Sequence, residues 1–386
     1  MAKKKKDTAG YLSNKESRRI AKENRKITDE FEKKYKRKNV PESEYLTKMH
    51  DEGNVVEFDD LHTCFFTDVG IVKAVDGVSF NIPVGKTVGV VGESGCGKSV
   101  TSLSLMQLLQ RPTGQIVSGE IRLNLGDKAY DVTKMPIRAM EKIRGNVVSM
   151  IFQEPMTSLN PVFRIGFQLD EIIKLHNPEL SEEEVKARSV DAIKMVGIPD
   201  AEGIYMRYPH ERSGGMRQRI VIAMALVCNP RLIIADEPTT ALDVTIQAQI
   251  LELLRKLKGE INASIMLITH DLGVIAEMAD YVVVMYAGRI VEKGLASEVF
   301  LDPRHPYTIG LMESKPVINK TVERLYSIPG SVPNPVNMPD YCYFRDRCEK
   351  CVGRCDGKYP PEIHVSDTHI VSCWRYFDDQ NRGGNE

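Results

Sequence analysis

Val88-Gly-Val-Val-Gly-Glu-Ser-Gly-Cys-Gly-Lys-Ser99 decides how this chain is read. A Val/Gly run of strand type leads into Gly92-Glu-Ser-Gly-Cys-Gly-Lys-Ser99, and a helical run follows from Ser99 to Leu109. Every fixed position of the spacing G-x-x-x-x-G-K-[ST] is filled, in the strand–loop–helix context that spacing requires. Glycines at positions 92, 95 and 97 let successive backbone N–H groups point inward as an anion nest, and the following helix adds its positive N-terminal end. Lys98 supplies a point charge for the β- and γ-phosphates, and the Ser99 hydroxyl is placed to ligate Mg²⁺. Gly92, Glu93, Ser94, Gly95, Cys96, Gly97, Lys98, Ser99 and Val100 are therefore expected to line a nucleoside triphosphate.

Such a loop needs a second half elsewhere in the chain. Leu232-Ile-Ile-Ala-Asp236-Glu237 reads as a buried apolar strand ending in two carboxylates. One acid at that strand end can hold the metal and its neighbour can polarise an attacking water. Asp236 is assigned to Mg²⁺ and Glu237 to the general base.

Ser213-Gly-Gly-Met216, set before the apolar run Ile220 to Val227, carries a family resemblance. Arg212-Ser-Gly-Gly-Met216 resembles the signature loop of ABC ATPases, with Arg212 where leucine is usual. In that family the loop completes the ATP site of the opposite subunit, which implies that Ser213, Gly214 and Gly215 face a partner's nucleotide. Further stations follow in order. Phe152-Gln153-Glu-Pro155 resembles the Q-loop, where Gln153 would touch Mg²⁺ and water. Ala241-Leu242-Asp243 resembles the D-loop at the dimer seam. Thr269-His270-Asp271 resembles the switch-histidine station, where His270 would bond the γ-phosphate and hold the attacking water. Phe65 resembles the aromatic that stacks on adenine, with Phe66 as its rival. The resemblance spans roughly residues 55 to 318.

It narrows further. The runs Val72 to Phe80, Glu154 to Pro161 and His305-Pro-Tyr-Thr308, and a proline-rich tail ending in Ser372-Cys-Trp374, are similar to ATPase subunits of oligopeptide and dipeptide permeases. That implies ATP and Mg²⁺ as cofactors and a paralogous ABC ATPase as heterodimer partner. It also implies two transmembrane permease subunits, an extracytoplasmic substrate-binding protein, and residence at the cytoplasmic face of the membrane. Nickel and other small-solute importers share this ATPase type. A soluble ABC ATPase acting on nucleic acid or ribosomes is the reading from another class, suggested by the basic N-terminus; no specific nucleic acid is expected as partner.

Composition agrees. At 386 residues and 42% hydrophobic content the chain can build a large core. Its longest apolar run, Ile220 to Cys228, is about half of what spans a bilayer, and no secretory signal is expected behind the lysine run. Residues 1–40 carry 15 basic against 6 acidic side chains, a local +9 on a body of −10. The fold expected is an α/β, P-loop ABC ATPase core with a mixed, largely parallel RecA-like sheet. A helical subdomain is inserted at about 160–225, opened by a capping box at Ser181 and Glu184. A charged extension (1–52), flexible or helical with a possible Ile20, Ile27, Phe31, Tyr35 stripe, precedes the core at 53–318. A Pro-rich then Cys-rich domain (319–386) follows it.

Five of the eight cysteines, Cys342, Cys348, Cys351, Cys355 and Cys373, fall in that last segment. Such clustering reads as ligation before disulfides. The spacing of Cys342, Cys348, Cys355 and Cys373 is similar to a C-terminal module that carries an iron–sulfur cluster in relatives. Four thiolates suit a [4Fe–4S] cluster or Zn²⁺, with Cys351 as a spare ligand and His364 and His369 keeping zinc open; reduced thiols with no metal are the third reading.

Overall fold

The computed structural model describes residues 12–153, 158–240, 242–314 and 326–377. The lysine run at 3–6, residues 154–157 beyond Gln153, Ala241 of the D-loop, and the domain boundary expected near 319 lie outside the described residues.

Two sheets organise the fold. Their strands, in chain order, are β1 (Leu46–Thr47), β2 (Asn54–Phe66), β3 (Ile71–Pro83), β4 (Thr87–Val91), β5 (Gly114–Asn124), β6 (Ala129–Asp131) and β7 (Val148–Ile151). Then come β8 (Leu232–Asp236), β9 (Ser264–Ile268), β10 (Tyr281–Tyr286), β11 (Arg289–Leu295), β12 (Ile363–His364) and β13 (Ile370–Val371). The central sheet has the order β12-β13-β11-β10-β4-β9-β8-β7, with β10, β4, β9, β8 and β7 mutually parallel. Every residue of β4, β8 and β9 is buried, as expected for strands covered on both faces. The second sheet, β1-β6-β5-β2-β3, is antiparallel.

That antiparallel sheet adds a second layer to the largely parallel one, and its strands β2 and β3 run 13 residues each. Bulges at Phe58/Leu61 and Leu61/His62 break the alternation by which a long strand is recognised in sequence. Leu46 and Thr47 pair with Tyr130 and Ala129, so residues 46–47 belong to the sheet and not to a loose extension.

Ahead of it, α1 (Asn14–Tyr35) opens with a Ser13–Glu16 capping box. It docks through a polar face, since Asn24 and Thr28 are buried and Ile27 is exposed. Asn24 Nδ2 donates to Thr67 O at 2.7 Å, Arg111 Nη1 reaches Glu32 at 2.9 Å, and Phe31 lies 6.4 Å from Phe66. The apolar stripe expected on α1 therefore holds at Phe31 and fails at Ile27, because hydrogen bonds decide the docked face.

Helices α2 (Lys98–Leu105) and α3 (Ile137–Ile143) cover the first half of the cassette. Between β7 and β8 the described chain is helical: α4 (Ile165–His176), α5 (Glu182–Met195), α6 (Ala201–Tyr205) and α7 (Gly214–Leu226). The Ser181–Glu184 capping box is present at the start of α5. After β8 come α8 (Val244–Ile261), α9 (Leu272–Met278), α10 (Ala296–Leu301) and α11 (Pro306–Glu313). From residue 326 the chain returns to the cassette. Val371 and Ile370 pair with Glu292 and Lys293 of β11, while Cys342, Tyr343, Phe344 and Cys355 join its main apolar core.

Candidate nucleotide site

The phosphate loop sits where β4 hands over to α2. Gly92, Gly95 and Gly97 have φ of 150°, 78° and 103°, the region that glycine enters freely. Two of them also need the space. A Cβ on Gly92 would lie 2.1 Å from the Met285 carbonyl, and one on Gly97 would lie 2.3 Å from that of Ala74. The Lys98 ammonium is buried within the loop, donating to the carbonyls of Gly92 (2.7 Å) and Glu93 (3.1 Å). The loop is thus curled around its own lysine, with Ser94 and Gly95 facing solvent.

β8 brings the acids alongside. Ser99 Oγ donates to Asp236 Oδ1 at 3.1 Å across 137 residues of sequence. Burial and then the neighbouring Glu237 charge raise the Asp236 pKa, while Ser99 and Lys98 pull against them. A buried carboxylate beside a hydroxyl and a second carboxylate suits a hard cation such as Mg²⁺, whose bound charge would reverse that shift.

Glu237 turns the chain at φ +48°, a left-handed conformation that a non-glycine residue holds at a cost of about 1–3 kcal/mol. Its N–H donates to Ile268 O at 2.8 Å, and both carboxylate oxygens are held. Gln153 Nε2 (2.9 Å) and Thr240 Oγ1 (2.8 Å) donate to Oε2, while His270 Nδ1 lies 3.2 Å from Oε1. Burial alone would raise this carboxyl; the Thr240 and His270 hydrogen bonds outweigh it and hold the pKa below the usual value. Lys98, Ser99, Asp236, Glu237, Gln153 and His270 therefore meet at adjoining ends of parallel strands, the place where open α/β sheets bind ligands.

Ser213 and Asp243 are placed differently. Each is exposed and caps a helix: Ser213 Oγ accepts from Met216 N at 3.4 Å on α7, and Asp243 accepts from Ile246 N at 2.9 Å on α8. Gly214 is exposed with nothing near its Cβ direction, whereas Gly215 packs on Ile246. Phe66 is buried beside Phe31 and Phe65 is half-buried over Gly114, so Phe65 is the ring with a free edge.

Residues 75–240 match the family described as ABC transporter, and residues 291–355 match the oligopeptide/dipeptide transporter C-terminal region. An oligopeptide transport ATP-binding protein of Bacillus subtilis is 50% identical over 325 residues, covering 84% of this chain and 98% of that one. The chain belongs to the oligopeptide/dipeptide family of ABC transporter ATP-binding subunits. A dipeptide transport ATP-binding protein of the same organism is 47% identical over 320 residues, or 83% and 94% of the two chains. A dimeric ATP-binding cassette, solved in a post-hydrolysis state with ADP and phosphate, superposes with a TM-score of 0.55 at 25% identity. It covers 62% of this chain and 98% of its own. The cbiO1 subunit of Clostridium perfringens, part of an ABC transporter complex, gives a TM-score of 0.54 at 27% identity over 65% and 92%.

This ABC ATPase carries two site features that residue patterns did not disclose. Thr240 holds the Glu237 carboxylate, and its position three residues beyond the acid was the available signal. The second feature reaches the phosphate loop from far along the chain. Tyr307 Oη accepts from Glu93 N at 2.8 Å, and Arg347 pairs with the Glu93 carboxylate at 2.7 and 3.1 Å. The C-terminal segment reaches this residue because Phe344 packs among His305, Tyr286 and Tyr307 beside the loop.

Cys342, Cys355 and Cys373 are buried, Cys348 is half-buried and Cys351 is exposed. Burial, then the nearby thiols Cys355, Cys373 and Cys348, push Cys342 up to about 12. Among the described residues no three His, Cys, Asp or Glu side chains are arranged to hold a metal ion. Cys342 and Cys355 pack into the cassette core, while Cys373 packs into a separate small cluster with Ile363 and Val371. Cys348, Cys355 and Cys373 all lie near Cys342, and His369 is engaged with Glu292 at 2.7 Å.

Proposed function

We propose that this subunit binds Mg·ATP between its own phosphate loop and the signature loop of a paralogous partner, and that hydrolysis there drives import of oligopeptides or dipeptides. The observation that carries the reading is the Glu237 carboxylate, held ionised by Thr240 and His270 beside the Lys98–Ser99–Asp236 group. In this reading Glu237 accepts the proton of the attacking water, and Gln153 and His270 fix its two oxygens and the water between them. Lys98 turns from its loop carbonyls to the β- and γ-phosphates. Ser99, Gln153 and Asp236 hold Mg²⁺, whose charge offsets that developing on the transferred phosphoryl group. Phe65 stacks on adenine, and Ser213, Gly214, Gly215 and Asp243 complete the partner's site. The sequence-similar peptide transport subunits support the cargo.

Among the described residues no helix is long and apolar enough to cross a membrane, so transport requires membrane subunits supplied by other chains. A docking surface for them is supported by Val162, Phe163 and Phe167, which are 70%, 44% and 53% exposed just beyond Gln153, with the two rings stacked at 5.0 Å. The reading places the subunit at the cytoplasmic face, with two permease subunits and an extracytoplasmic binding protein. Detergent purification of the tagged subunit tests it. Multi-span proteins should co-purify, and in vesicles ATP hydrolysis should rise when the binding protein is loaded with a short peptide. Nuclease-sensitive RNA in place of membrane subunits would refute it, and stimulation by nickel alone would reassign the cargo.

A further inference from the structure

Glu93, the second residue of the phosphate loop, is fastened at all three of its polar groups. Its N–H donates to Tyr307 Oη at 2.8 Å, its carbonyl accepts from Lys98 Nζ at 3.1 Å, and its carboxylate takes both terminal nitrogens of Arg347. Arg347 lies 254 residues away and is only 7% exposed. It is itself anchored. Nε donates to the Pro329 carbonyl at 2.9 Å, Nη1 reaches the Tyr286 hydroxyl at 3.4 Å, and the guanidinium lies 5.8 and 6.0 Å from the Tyr286 and Phe344 ring centres. Those two rings meet edge to face at 5.2 Å, so the fork is held in one orientation.

A buried ion pair contributes little net stability against apolar residues of similar volume. Its placement at the loop that receives a polyanion therefore calls for another explanation. A bare carboxylate there would repel every phosphate oxygen through a partly desolvated path. A bidentate guanidinium cancels that charge and fixes the plane of the carboxylate, which a lysine could do only as a point charge.

We propose that Arg347 is a positioning residue for ATP binding: by neutralising and anchoring Glu93 it keeps the phosphate loop open to the triphosphate. The Cys-rich C-terminal segment is thereby a working part of the nucleotide site. This rests on the reading of Gly92–Ser99 as the triphosphate cradle.

Equilibrium binding of Mg·ATP to the full-length chain decides the matter, with the melting temperature of each variant measured alongside. Arg347→Gln should raise Kd at least about tenfold, the effect of roughly 1.4 kcal/mol of uncompensated charge. Adding Glu93→Gln to Arg347→Gln should return Kd to within about threefold of wild type, and the single-variant deficit should shrink as salt rises. Arg347→Lys, which keeps the charge and loses the fork, should fall between. A folded Arg347→Gln chain with wild-type Kd and only a lowered melting temperature would make the residue a strut and overturn the proposal. So would a deficit that Glu93→Gln leaves unrepaired. Wild-type protein that binds no Mg·ATP would instead bring down the reading of the cradle itself.

Discussion

Asp236 and Glu237 are adjacent carboxylates pushed in opposite directions. Burial raises Asp236, while hydrogen bonds to the charged form depress Glu237, in keeping with the proposed roles of cation-holding acid and base. Glu237→Gln should keep Mg·ATP binding and lower turnover at least about 100-fold, measured in an assembly whose second site is already disabled. Thr240→Val should act more gently. Removing a donor to the carboxylate raises its pKa, so the acid limb of the kcat–pH profile should move to higher pH. An unmoved limb would show that Glu237 is not the group being titrated. Asp76 plays a structural part of the same kind. It is 2% exposed and accepts from Tyr343 Oη (2.7 Å) and Arg289 Nε (2.9 Å), with His62 Nδ1 at 3.1 Å. Burial would raise its pKa, yet His62, Tyr343 and Arg289 together hold it well below the usual range. A depressed folded pKa contributes stability that is complete above the unfolded value near 3.9 and is lost as pH falls below it. Asp76→Asn should therefore cost about 3 kcal/mol at pH 7, read from urea unfolding, and the gap to wild type should narrow at acid pH.

At the scale of elements, α1 and the Cys-rich segment both turn out to be docked. α1 has a mostly charged surface, and its attachment depends on Asn24, Glu32 and Phe31. Phe31→Ala should leave the parallel sheet unaffected while amide exchange over 14–35 accelerates about tenfold or more, because local opening no longer has to break the ring contact with Phe66. The cysteines give a different readout. In the native protein Cys351 should be alkylated first, since it is exposed, and Cys342, Cys355 and Cys373 only on the timescale of local opening, since they are buried. Rapid modification of Cys342 without loss of fold would contradict the packing described.

On the proposed two-subunit site, the whole molecule is a half-site twice over. Its phosphate loop and strand-end acids meet within one chain, whereas Ser213 and Gly214 lie exposed at the N-terminus of α7, where backbone N–H groups favour an anion. Alone, the chain should therefore hydrolyse ATP slowly. In the assembled pair, a bulky substitution at Ser213 should impair the site whose phosphate loop belongs to the other subunit. Full activity in a monomer, indifferent to Ser213, would refute the sandwich arrangement.

Gly92 to Ser99 and Asp236-Glu237 could be read as short-range patterns of residue chemistry, and Gln153, Ser213 to Gly215 and His270 through their resemblance to stations of the family. The helical run between β7 and β8 was legible because capping and periodicity are local. Tertiary structure decided the rest. The long antiparallel sheet was hidden because bulges interrupt the alternation of β2. The docked face of α1 was hidden because Asn24 and Thr28 are buried by hydrogen bonds, which leave no hydrophobic trace. The five clustered cysteines suggested a metal, while their burial, with Cys342, Cys355 and Cys373 inside and Cys351 outside, was decided only by folding. The grip of Arg347 on Glu93 spans 254 positions, and no spacing rule reaches that far. It exists because Phe344 packs among Tyr286, His305 and Tyr307 and brings Arg347 within reach of Glu93.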